Sequence, residues 1–146
     1  MKTSSRRKKE GARPAADLRG SPEKPALRDR PLLDGVQTDE LVRLFEMLAS
    51  DTRLRLLHSV ERAQELCVTD IAAAIGSTPQ AASNQIQRLV DRRILVSRRD
   101  GNRIFYRIAD HCVAGLIALG LCLLEETGRL PGGPRDRGRT KVKRAT

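Results

Sequence analysis

Thr69–Ile108 reads TDIAAAIGSTPQAASNQIQRLVDRRILVSRRDGNRIFYRI, and its punctuation decides the fold. Gly76 is a helix stop, because a left-handed C-terminal residue is easiest for glycine. Ser77-Thr78-Pro79 is a cap followed by proline at the first helical position, where the missing N–H removes no bond. A helix opened by Thr69 or Asp70 therefore ends at Gly76, and after a short turn a second runs to about Arg92. Ile94-Leu95-Val96 and Ile104-Phe105-Tyr106 are β-prone runs joined through Asp100-Gly101, a strong hairpin signal. The stretch predicts a helix-turn-helix over 69–92 followed by a two-stranded wing.

Upstream, Asp39 to Ala49 places Leu41, Leu44, Phe45 and Leu48 at the i, i+3, i+4, i+7 spacing of an amphipathic helix. Asp51 reads as the N-cap of a second helix with Leu54, Leu56, Leu57 and Val60 on its buried side. Glu65-Leu66-Cys67-Val68 is a short extended piece before the helix-turn-helix. Downstream, Asp110 caps a last helix to about Glu126, whose Val113, Leu116, Ile117, Leu119, Leu121, Leu123 and Leu124 cover nearly its whole circumference. A helix that is apolar all round is expected to be buried. In so small a chain its second wall is most easily another copy of itself. The fold class is mainly α with a small β-hairpin wing, a winged helix-turn-helix in the order ααα-α-ββ-α, homodimeric.

The 146 residues suffice for one core. Charge divides the chain into three parts. Residues 1–35 carry ten Lys/Arg against five Asp/Glu, and residues 127–146 carry seven against one. Both are rich in Pro, Gly and Arg without an apolar period, so they read as a disordered basic arm and a disordered basic tail flanking a domain at 36–126. The absence of any apolar run of 18 residues argues against a membrane span. Met1 to Glu10 is followed by Gly-Ala-Arg-Pro rather than an apolar stretch, which argues against a secretory signal. The expected location is cytoplasmic, where the three cysteines stay reduced.

Seven arginines fall between Arg88 and Arg107, facing only Asp91 and Asp100. Such a patch is the electrostatic footprint of a nucleic-acid binder, since each neutralised phosphate releases condensed counterion. On the second helix of the motif, Thr78, Gln80, Ser83, Asn84, Gln85 and Arg88 offer the amide, hydroxyl and guanidinium groups that read base edges in a major groove. Arg98, Arg99, Asn102 and Arg103 cluster at the hairpin turn, within reach of a minor groove or flanking phosphates. The predicted partner is double-stranded DNA.

From about Glu40 to Glu126 the chain resembles the ArsR/SmtB family of metal-responsive winged-helix repressors. The resemblance rests on Leu48-Ala49-Ser50-Asp51-Thr52-Arg53-Leu54-Arg55-Leu56-Leu57, Glu65-Leu66-Cys67-Val68-Thr69-Asp70-Ile71-Ala72, Ser83-Asn84-Gln85-Ile86-Gln87-Arg88-Leu89 and Asp100-Gly101-Asn102-Arg103-Ile104-Phe105-Tyr106-Arg107-Ile108. It implies a homodimer built largely from the first and last helices, which binds a palindromic operator controlling metal resistance or efflux genes and releases it when metal binds. Asn84 stands where relatives often carry His, which leaves base preference open.

The resemblance also frames the cysteines. One group of relatives opens the third helix with Cys-Val-Cys; here Cys67 matches the first, but Thr69 occupies the second. Cys67 has two readings, a ligand or a buried small hydrophobe. Zinc-sensing relatives carry Asp-x-His early in the last helix and His-x-x-Glu late. Here the early pair is Asp110 and Cys112, and the late one is Leu123 with Glu126 or Cys122 with Glu125. The candidate ligands are thus Cys112, Cys122, Cys67, Asp110 and Glu126. Substituting thiolate for imidazole favours a soft effector ion, with Hg(II) ahead of Cd(II) and Zn(II). Cys112 and Cys122 also have a reading as inert dimer-core residues, and His58 and His111 as solvent-facing or packed.

No catalytic triad, phosphate loop or paired-histidine motif is present, which argues against an enzyme. Two alternatives remain open at this stage: a thiol-redox-sensing repressor on the same fold, and an architectural DNA-binding protein that uses its basic arms without an effector.

Overall fold

In the computed structural model, which describes residues 25–130, five helices and three strands follow in the order α1 Gly35–Leu48, α2 Asp51–Ala63, β1 Leu66–Cys67, α3 Val68–Ile75, α4 Pro79–Asp91, β2 Leu95–Asp100, β3 Arg103–Ile108 and α5 His111–Glu126. Residues 1–24 and 131–146, most of the expected arm and tail, lie outside the described residues. Leu27–Asp29 forms a short 3-10 turn closed by the Arg30 N–H on the Leu27 carbonyl.

Local chemistry sets each boundary. α1 starts a turn earlier than its apolar spacing predicts, because Asp34 builds a capping box: its carboxylate accepts from the Gln37 N–H at 2.7 Å while its own N–H donates to Gln37 Oε1. α2 is capped by Ser50 rather than the expected Asp51, which becomes its first residue and favours the positive end of the helix. α3 opens at Val68, with Cys67 at its cap, and closes at Gly76 with φ 65°. Thr78 caps α4, its hydroxyl accepting from Ala81 N–H, with Pro79 at the first helical position. Asp110 caps α5.

The core is one cluster: Leu48 from α1, Leu56, Leu57 and Val60 from α2, Ile71, Ala72 and Ile75 from α3, Ala82, Ile86 and Leu89 from α4, then Ile94 and Leu95. Leu54, expected on the buried side of α2, is 38% exposed. The sheet has three strands rather than two, all antiparallel in the order β1-β3-β2. Leu66 pairs with Tyr106 and Cys67 with Phe105, so the extended piece before α3 anchors the wing to the helical body. In the hairpin, Asp100 faces Arg103 across Gly101 and Asn102, and Gly101 takes the positive φ, 59°, that a tight hairpin turn requires.

The last helix is covered on one side only. In the single chain no residue of α5 is buried. Val113, Leu116 and Ile117 pack against the core, while Leu119, Leu121 and Leu123 face outward, Leu123 at 64% exposure. α1 behaves alike, with Leu41, Val42 and Phe45 exposed. The wall that α5 was expected to find in a second copy is open in the single chain.

Candidate DNA-reading face and thiol positions

The face of α4 opposite Ala82, Ile86 and Leu89 is polar and exposed, and it carries Gln80, Ser83, Asn84, Gln87 and Arg88. Gln80 Nε2 donates to the Asn84 amide Oδ1 at 3.4 Å, and Gln87 Nε2 to the Asp91 carboxylate Oδ1 at 2.8 Å, so each glutamine is held by a partner one turn further along the face. Two predicted readers differ from this set. The Thr78 hydroxyl is engaged as the helix cap, and Gln85 is half-buried with its Oε1 accepting from Arg53 Nη1 at 3.3 Å.

At the wing, Arg99, Asn102 and Arg103 are exposed around the turn, with Arg99 Nε donating to the Gly101 carbonyl at 3.1 Å. Arg98 is otherwise engaged. Its guanidinium grips both carboxylate oxygens of Glu65, reaches Asp100 Oδ2 at 3.3 Å and lies over the Phe105 ring at 4.9 Å. The bond from Arg98 holds the Glu65 carboxyl below its ordinary range, and Glu65 in turn raises the Arg98 guanidinium. Its charge braces the wing to the residue just before β1, leaving Arg99 and Arg103 as the outward cations of the predicted quartet. Sequence reasoning passed over Glu65 and Arg53 because each partner lies more than thirty positions away, beyond the reach of any local pattern.

The thiols are dispersed. Cys67 is buried, 5% exposed, with Sγ at 2.9 Å from Asp70 Oδ2 and 3.1 Å from Thr69 Oγ1. Cys112 and Cys122 are both exposed on α5, and Glu126 is exposed at its end. Asp110 accepts from the Cys112 backbone N–H at 2.8 Å. Among the described residues, no three His, Cys, Asp or Glu side chains converge on one point. The five predicted ligands are therefore not assembled within one chain. No helix among the described residues is long and apolar enough to cross a membrane.

A MarR family sequence model matches residues 50–103, from the cap of α2 to the start of β3. The chain is 39% identical over 80 residues to a transcriptional repressor SmtB homolog of Synechocystis, a match covering 55% of this chain and 60% of that relative's length. It is 32% identical over 106 residues to a probable mercury resistance operon repressor of Streptomyces lividans, covering 68% of this chain and 84% of the relative. The crystal structure of AntR, an antimony-specific transcriptional repressor, is 56% identical and superposes with TM-score 0.64 over 74% of this chain and 97% of that one. The homodimeric winged-helix domain Mb0332 of Mycobacterium bovis, described as a possible ArsR-family regulator, is 32% identical with TM-score 0.58, over 66% of this chain and 89% of that one. With the helix-turn-helix, the wing and these likenesses running through the same residues, the chain belongs to the ArsR/SmtB family of winged-helix transcriptional repressors, a regulator and not an enzyme.

Proposed function

We propose that the protein is a homodimeric repressor that holds operator DNA through α4 and the wing and releases it when a thiophilic metal or metalloid ion binds at α5. The observation that carries this reading is the placement of Cys112 and Cys122, two exposed thiols on a largely apolar helix that keeps an exposed leucine face. Ten residues separate them, roughly 15 Å along a helix, so one ion cannot bridge the pair within a chain. A site that uses both draws Cys112 from one protomer and Cys122 of the partner subunit. Exposed apolar faces on α1 and α5 support such pairing, because leucines and phenylalanine left in water are stabilised by burial against a second copy.

The donor set is sulfur-rich and contains no ring of carboxylates, which suits soft ions over Mg(II) or Ca(II). Likeness to the antimony-specific AntR supports ranking Sb(III), with its chemical neighbour As(III), ahead of the Hg(II) that thiolate count alone favours, with Cd(II) and Zn(II) after them. The division into arm 1–35, domain 36–126 and tail 127–146 belongs to the same reading, the basic extensions adding sequence-independent attraction to DNA. Titrating the protein on a fragment of its own promoter with Sb(III), As(III), Hg(II), Cd(II) and Zn(II) tests it. Release by at least one soft ion is expected, with operator binding kept but release abolished in Cys112→Ser and Cys122→Ser. Unchanged release in both serine variants overturns the assignment.

A further inference from the structure

Arg53, in the first turn of α2, reaches in two directions. Nε donates to the Met47 carbonyl and Nη2 to the Glu46 carbonyl at 3.3 Å, while Nη1 donates to Gln85 Oε1 at 3.3 Å. The first two acceptors lie in the last turn of α1, where carbonyls lack intrahelical donors. Phe45 and Leu48 carbonyls there are taken by the Ala49 and Ser50 N–H groups, which leaves Glu46 and Met47 for the guanidinium. The third acceptor is a side chain of the recognition helix.

Little else joins these two helices. Leu48 is the one residue of α1 buried in the core, supported by Leu44 and Met47. Beside them a cleft lined by Glu40, Arg43, Leu44, Met47, Arg92 and Ile94 opens between α1 and the segment that follows α4. A planar guanidinium holding three acceptors is far stiffer than apolar contact across a cleft.

We propose that Arg53 is a strut that positions the recognition helix, transmitting displacement of α1 to α4 through Gln85, so that Gln85 is a positioning residue rather than a base reader. This rests on the reading that α4 reads DNA and α1 takes part in pairing. An ion that alters the dimer then reaches the reading face by a path that does not run through the wing.

The test is a double-mutant cycle on the full chain, with Arg53→Lys, Gln85→Met and the double variant titrated by anisotropy on the promoter fragment in metal-free buffer. The same titrations are repeated on fragments carrying single base-pair changes. Each single variant is expected to lose about tenfold in operator affinity, the order of one hydrogen bond to a charged group. The double variant loses no more than either single one. The loss is uniform across base-pair changes, and the factor by which the ion weakens binding shrinks in all three. Additive losses, a Gln85→Met defect confined to one base pair, or wild-type affinity in Gln85→Met overturns the proposal. Should Arg53→Lys fold poorly by circular dichroism, the base-pair profile of Gln85→Met decides alone. A wild type that binds its operator but ignores every ion sinks the effector reading, while the metal-free cycle still judges the strut.

Discussion

Gly76 holds the turn between α3 and α4 at φ 65°, and a Cβ built there meets nothing within 4 Å. Gly76→Ala therefore tests backbone strain without steric interference. The left-handed penalty of about 1–2 kcal/mol, partly offset by a less flexible unfolded chain, leaves a loss of about 1 kcal/mol, read from urea denaturation. Cys67 poses the complementary question. Its burial and its contact with Asp70 suit packing at the start of α3 better than ligation, and on that reading Cys67→Ala should cost about 1 kcal/mol in the same assay and leave ion-induced release intact. Loss of release would return Cys67 to the ligand set. At this scale the caps Thr78 and Asp110 and the stop at Gly76 were legible, because each acts on a neighbour two to four positions away. The Arg53–Gln85 and Arg98–Glu65 bonds were not, since only the folded chain brings their ends together.

Among elements, the wing carries an ion pair to Glu65 whose pH response has a definite sign. Glu65 titrates below its ordinary 4.5 in the folded chain through its bond to Arg98, so the contribution is present above that pH and disappears as pH falls through the folded value. Glu65→Gln should lower the melting temperature at pH 7, with the gap from wild type narrowing as the buffer is acidified through and below the ordinary carboxylate range. A constant gap across that range would show that the pair does not brace the wing. The five helices and the hairpin were readable from periodicity and turn residues. β1 escaped assignment as a strand because its two residues are too few to show alternation, and its pairing with β3 is set by tertiary contact. α1 was placed late because its first turn is held by the Asp34–Gln37 capping box and not by apolar spacing.

On the scale of the whole molecule, the apolar circumference of α5 predicted burial, and the single chain leaves Leu119, Leu121 and Leu123 in water. Sequence reading thus located the incomplete surface, although a sequence does not show which side of the helix its own core uses. Leu123→Glu should shift the protein toward monomer in sedimentation velocity. Since covering one leucine contributes about 1.5–3 kcal/mol and a two-fold dimer covers one from each protomer, the dissociation constant should rise roughly 100-fold or more, with far-UV circular dichroism unchanged. Undisturbed self-association would place the pairing surface elsewhere. The outward leucines also have a genetic consequence. On the proposed pairing, a copy damaged only on the exposed polar side of α4 would keep those leucines, so when co-expressed it would enter mixed assemblies with intact copies and leave each with one competent reading head. Such an allele would act as a dominant inhibitor.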